Sequence, residues 1–186
     1  MTPNRNPQVL RLRKKHAPGG HERPQVEDGA RLVRAQSLRN AVIAGFMVAV
    51  GFAAGWAMLS VALGRVFPWL TLLAGYLTGL VVRRAGRGLD WRFPTAAAII
   101  AVAAAIVGNV VVAATNTALE YDTSVFAILW NVTTYTWPIF LDEVMTAADF
   151  IYAAFAAAIA AYFANRRLSR REYQALRLWQ EHDEHG

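Results

Sequence analysis

Twenty-five consecutive residues, Asn40 to Gly64, carry no charge. As a helix at about 1.5 Å per residue this run is about 37 Å long, enough to cross a bilayer core of about 30 Å with some tilt. It is one of several such runs. Between Arg39 and Asp142 the only charged residues are Arg65, Arg83, Arg84, Arg87, Asp90, Arg92, Glu120 and Asp122. Long uncharged stretches separated by short charged knots are the signature of membrane spans. The chain is accordingly 55% hydrophobic and only 17% charged, against roughly 25% charged in ordinary globular proteins. Spread over a soluble surface, its net charge of +6 would suggest nucleic acid. Packed at the ends of apolar runs, the same charge reports topology, so no nucleic-acid partner is expected.

Three further spans follow. Residues 66–82 form a shorter one, with Pro68 placed where helix starts tolerate proline and with Trp69 and Tyr76 near the interface. Residues 93–116 form the third, again with a proline, Pro94, in the first turn. The alanine-rich run 147–164 forms the fourth. Between the last two lies the apolar, aromatic-rich segment 123–140, interrupted by Asn131, Thr133, Thr134 and Thr136 and followed by Asp142 and Glu143. It reads as an interfacial or re-entrant element, with a fifth span as the competing assignment.

The basic residues decide between four and five spans. Of nineteen Lys and Arg, nine lie in residues 1–39, four in the 83–92 turn and five after Ala164. The segment 116–146 has no basic residue and four acids. Lys and Arg in short loops are retained on the cytoplasmic side. Four spans satisfy that rule almost without exception, with both termini inside and Arg65 alone in the outer 64–67 turn. Five would place Arg166, Arg167, Arg170 and Arg171 outside. The expected fold is therefore an all-α integral membrane four-helix bundle with cytoplasmic termini.

The domain organisation follows. Residues 1–39 form a basic cytoplasmic tail, disordered up to about Pro24 and helical and amphipathic from Gln25 to Arg39. Residues 40–164 form the transmembrane domain. Residues 165–186 form an amphipathic cytoplasmic tail, with Leu168, Tyr173, Leu176 and Trp179 near helical spacing. No secretory signal is visible, because the first apolar run begins near residue 40 and is too long for one. The absence of cysteine excludes disulfides, thiol catalysis and cysteine-ligated metal.

Candidate sites are few. Gly51 with Gly55, and Gly75 with Gly79, have GxxxG spacing, which lets helix backbones approach closely within the bundle or between copies. Asn109 lies mid-span, where an amide commonly glues helices together and otherwise lines a polar site. Asp142 and Asp149, seven residues apart, share a face if the helix is continuous, and with Glu143 they make a candidate ion or proton site. Asp149 equally suits a helix N-terminus, where the macrodipole favours a carboxylate. His16, His21, His182 and His185 all lie in the tails, so neither metal nor cofactor is expected. Arg34, Arg39, Arg83, Arg84, Arg87, Arg92, Arg166 and Arg167 sit at span edges and face lipid headgroups, with Gly86 and Gly88 letting their central turn be tight. Each such residue near an anionic surface contributes about 1 kcal/mol.

The stretch containing Gly75, Tyr76, Gly79, Val82, Arg83 and Arg84, with its Gly/Arg-rich turn and the later "AAYFANRR", resembles a loose group of small bacterial four-span membrane proteins. The likeness extends over residues 68–168. Some of that group carry a metal-binding Cys motif in the N-terminal tail, which this chain lacks. The resemblance implies topology, that of a bacterial inner-membrane protein, and no activity. GxSxG, HExxH and P-loop motifs are all absent, so no enzyme is expected. The expected role is structural, accessory or scaffolding, through contact with other membrane subunits, self-association and anionic lipid. The alternative is a small transporter or channel using Asn109 and the carboxylates of Asp142, Glu143 and Asp149.

Overall fold

The structure, a computed structural model, describes residues 24–131 and 136–184. The N-terminal segment expected to be disordered, Thr133 and Thr134, and the histidines His16, His21 and His185 lie outside the described residues. Among the described residues the fold is all-helical, with eight helices and no strand. Three of these, α2 (Leu38–Leu63), α4 (Arg92–Glu120) and α7 (Ala147–Ala164), are long and apolar enough to cross a membrane. α3 (Leu70–Gly86), at 17 residues, is shorter.

Local chemistry sets the helix ends. The Ser37 hydroxyl accepts the Asn40 N–H at 3.2 Å and caps α2. Gly64 ends that helix in the left-handed region, at φ 60°, where glycine carries no β-carbon penalty. α3 begins four residues later than the expected start at 66. Phe67, Pro68 and Trp69 accept from Leu70, Thr71 and Leu72, three residues on in each case. Pro68 thus belongs to the turn before α3 and not to its first helical turn. Pro94 does occupy the first turn of α4, and α7 has the expected bounds.

α2, α3, α4 and α7 pack together. α3 and α4 each touch α2 and α7 and also each other, whereas α2 and α7 do not meet. The chain therefore runs up and down through a diamond-shaped bundle with α2 and α7 at its far corners. Its core is made of small residues. One cluster gathers Ala41, Val82, Phe93, Ala97, Ala101, Ala160 and Ala164. A second gathers Trp56, Ala57, Leu70 and Val112. Helices in lipid associate through close van der Waals packing and not through burial from water, which is why alanine and glycine suffice. At Gly75 and Gly79 the backbones of α3 and α7 nearly touch: an added β-carbon would lie 2.8 Å from Ala156 Cα and 2.5 Å from Ala160 O respectively.

Between α4 and α7 lie two short helices, α5 (Val125–Asn131) and α6 (Trp137–Val144), both against α4. At seven and eight residues neither is long enough to span. α6 stops at Val144, and Met145 and Thr146 are extended before α7 begins. The continuous helix assumed for a shared Asp142–Asp149 face does not exist, because Thr146 starts a new helix instead of prolonging the old one.

The remaining helices pair with each other. α1 (Val26–Arg34) packs on α8 (Arg170–Asp183). A β-carbon on Gly29 would meet the Ala175 carbonyl and lie 2.6 Å from Trp179 Cβ. Asp28 and Arg171 form a loose ion pair across the same contact, at 3.9 Å. α8 is a separate helix and not a prolongation of α7, since Ser169 caps it by accepting the Glu172 N–H.

Candidate functional site

Three chain segments converge at one end of the bundle. The Ser37 N–H donates to Gly86 O at 2.9 Å, and the Leu89 N–H donates to Gln36 Oε1 at 3.1 Å. Arg166 reaches the Arg87 carbonyl at 3.5 Å. The α1–α2 link, the α3–α4 turn and the α7–α8 link therefore share one end.

Arg83, Arg84, Arg87, Arg166 and Arg167 line a single open pocket of about 470 Å³ there. Leu32 and Ala35 of the α1 end close one side of it. Each arginine is placed by local structure. Arg83 and Arg84 lie in the last turn of α3, where exposed carbonyls favour cations. Arg87 caps that helix in the left-handed region at φ 50°, a conformation that costs a residue with a β-carbon about 1–2 kcal/mol. Gly86 and Gly88 do not supply the left-handed residue of this turn. They leave room for the Phe93 ring, whose Cδ1 would lie 2.7 Å from a β-carbon on Gly86. Arg166 and Arg167 follow the end of α7, after Asn165 turns extended.

The pocket's charge is mostly uncompensated. Arg166 is ion-paired with Glu172 at 2.8 Å. Arg167 donates to the Tyr162 hydroxyl at 2.7 Å and lies over that ring, 5.8 Å from its centroid. The side chains of Arg83, Arg84 and Arg87 have no ion pair or hydrogen bond among the described residues. Glu172 is fixed by the N–H of Ser169 and by its hydroxyl; these bonds, then Arg166, hold its carboxyl below the ordinary glutamate range against the opposing effect of partial burial. Guanidinium forks match phosphate oxygens bidentately, so this geometry suits a phosphate-bearing ligand.

The other candidates are dispersed. Arg34, Arg39 and Arg92 are exposed and do not line the pocket. Gly75 and Gly79 face α7, while Gly51 and Gly55 are exposed with nothing within 4 Å of where a β-carbon would stand. Asn109 is buried and donates to the Met145 sulfur at 3.6 Å, tying α4 to the α6–α7 link. Asp142 and Glu143 are exposed on α6. Asp149 is buried, and its carboxylate accepts the Thr146 N–H at 2.9 Å and the Thr146 hydroxyl at 2.6 Å. Among the described residues no three acidic or histidine side chains come together as a metal-ligand set. The three carboxylates do not share a site, because two belong to α6 and one is taken up in the start of α7.

Sequence reasoning placed each arginine at a span edge but missed their convergence, which depends on the end of α3 packing beside the end of α7. One signal was present. The GxxxG pair Gly75 and Gly79 marks the face of α3 on which α7 closes. No known protein family, curated protein or solved structure matches this chain.

Proposed function

We propose that this chain is a small four-span protein of a bacterial inner membrane, with both termini in the cytoplasm, serving as an accessory or scaffolding subunit and not as an enzyme. α3 is the fourth crossing in this reading. Its 17 residues cover about 25 Å at about 1.5 Å per residue, and Arg83 and Arg84 extend the reach by snorkelling to the headgroups. The basic end then faces the cytoplasm and contacts anionic lipid.

The observation that carries the accessory role is the contrast between the two GxxxG pairs. Gly75 and Gly79 are used inside the bundle, whereas Gly51 and Gly55 open on the outer face of α2. Phe46, Met47, Val50 and Met58 of the same helix are exposed around them, Met58 at 74%. A small-residue notch between large apolar side chains admits a membrane helix from a second subunit. Asn109 and Asp149 meanwhile serve as structural bonds, which favours packing over conduction.

The test starts from Gly55→Cys in this otherwise cysteine-free chain. Oxidative cross-linking in native membranes should give one discrete adduct, to a second copy or to another membrane subunit, and Gly51→Leu should abolish it. A protein that gives no adduct and carries an ion flux in liposomes that Asp149→Asn abolishes would refute the accessory role and restore the transporter.

A further inference from the structure

The arginine pocket differs from a diffuse basic surface in three respects. First, five arginines from two distant parts of the sequence line one cavity, and among the described residues Arg166 alone of the five has a carboxylate partner. Second, Arg87 holds a left-handed backbone position that glycine would occupy without strain. Unfavoured backbone conformations persist where the surrounding structure or a functional demand holds them. Third, the pocket adjoins the apolar part of the bundle. Tyr162, in the last turn of α7, is exposed and meets Arg167 through its hydroxyl, the placement of an aromatic residue at headgroup level.

We propose that this pocket is a specific site for a lipid whose headgroup ends in a free phosphate, a phosphate monoester or diphosphate. The inference rests on the reading of this end as the membrane's anionic face and names the ligand it selects. A terminal phosphate monoester presents three acceptor oxygens and nearly two negative charges, whereas a phosphodiester headgroup presents two free oxygens and one charge. Arg83, Arg84, Arg87 and Arg167, lacking carboxylate partners, supply more donors and charge than a phosphodiester satisfies. Leu32 and Ala35 then lie against the headgroup, so the ligand also contacts the end of α1.

The experiment titrates the full-length protein in neutral detergent micelles with fluorescent phosphatidic acid and, separately, with fluorescent phosphatidylglycerol. The first should bind roughly tenfold or more tightly, the scale of one additional charge-assisted contact. Arg87→Gly relieves the backbone and removes one guanidinium, so it should fold at least as well and lose most of that preference. Arg170→Gln, on an exposed residue that does not line the pocket, should leave it within about twofold, since surface charges contribute little when isolated. Equal affinity for the two lipids, or equal weakening by the two variants, would mean a diffuse basic surface and overturn the proposal. Displacement of phosphatidic acid by equimolar inorganic diphosphate would assign the pocket to a soluble phosphate and overturn the lipid assignment. Binding in micelles does not depend on orientation, so a failed preference leaves the topology standing, and a reversed topology leaves the pocket standing.

Discussion

Gly75 of α3 and Ala156 of α7 approach so closely that a β-carbon on Gly75 would lie 2.8 Å from the Ala156 Cα. Nothing soft lies at that contact, since the nearest atoms are all backbone. The packing of the shortest of the four bundled helices against its neighbour thus depends on glycine having no side chain.

Gly75→Leu should therefore force α3 and α7 apart and destabilise the bundle by about 1–3 kcal/mol or more, the usual cost of overpacking. Gly51→Ala should be neutral or slightly stabilising, because its face is open and alanine is the better helix former by about 1 kcal/mol. Thermal unfolding of the two variants in the same detergent compares them directly. Equal stability would show that the α3–α7 contact is looser than described.

The start of α7 depends on a reciprocal pair, with the Thr146 hydroxyl accepting the Asp149 N–H and the Asp149 carboxylate accepting the Thr146 N–H. Thr146→Val should cost about 1 kcal/mol, the typical worth of an N-cap, while Thr146→Ser retains most of it. Amide hydrogen exchange over the first turn of α7 should speed up in the valine variant alone.

Arg87→Gly should raise thermal stability by about 1 kcal/mol through relief of the left-handed backbone at φ 50°. Arg83→Gly at an ordinary helical position should instead lower it by about 1 kcal/mol. Chemical unfolding of both variants reads the difference, and the same sign at both positions would contradict the assigned backbone.

Glu172 ties Ser169 and Arg166 together, and its folded-state pKa lies below the ordinary value because of those bonds. A carboxyl group with a depressed folded pKa contributes stability that is fully present above its unfolded pKa of about 4.3, and that stability fades as pH falls through the lowered value. Acidification below about pH 4 should therefore loosen the start of α8, with little change between pH 6 and 8. The fluorescence of Trp179, which packs against Gly29, should report it, and Glu172→Gln should flatten the profile.

Much of this architecture was legible beforehand because lipid makes demands that sequence displays openly. The uncharged runs bounded α2, α4 and α7 to within a few residues, and α7 to the residue. The errors lie where a local hydrogen bond outweighs hydropathy. Phe67 and Pro68 accept bonds that delay α3, whereas Thr146 caps a new helix, which bears out the place of Asp149 near a helix N-terminus and breaks the face it would have shared with Asp142. Asn109 was legible as a polar residue at depth, but its partner, Met145, lies in a linker whose position no periodicity reports. The pocket was legible only in parts. Arg83 and Arg166 stand far apart in sequence, and what joins them is the packing of α3 on α7, a pairing that the composition of neither helix encodes.

The orientation of the bundle gives the most direct test. The chain has no cysteine, so single substitutions at exposed positions can be labelled without background. Val66→Cys and Thr123→Cys lie at the end opposite the arginine pocket, whereas Asp90→Cys and Gln180→Cys lie at the pocket end. With a membrane-impermeant maleimide on right-side-out vesicles, the first two should label and the last two should not, with the pattern inverting in inside-out vesicles. Labelling of Asp90→Cys and Gln180→Cys on opposite faces of the membrane would contradict the four-span reading.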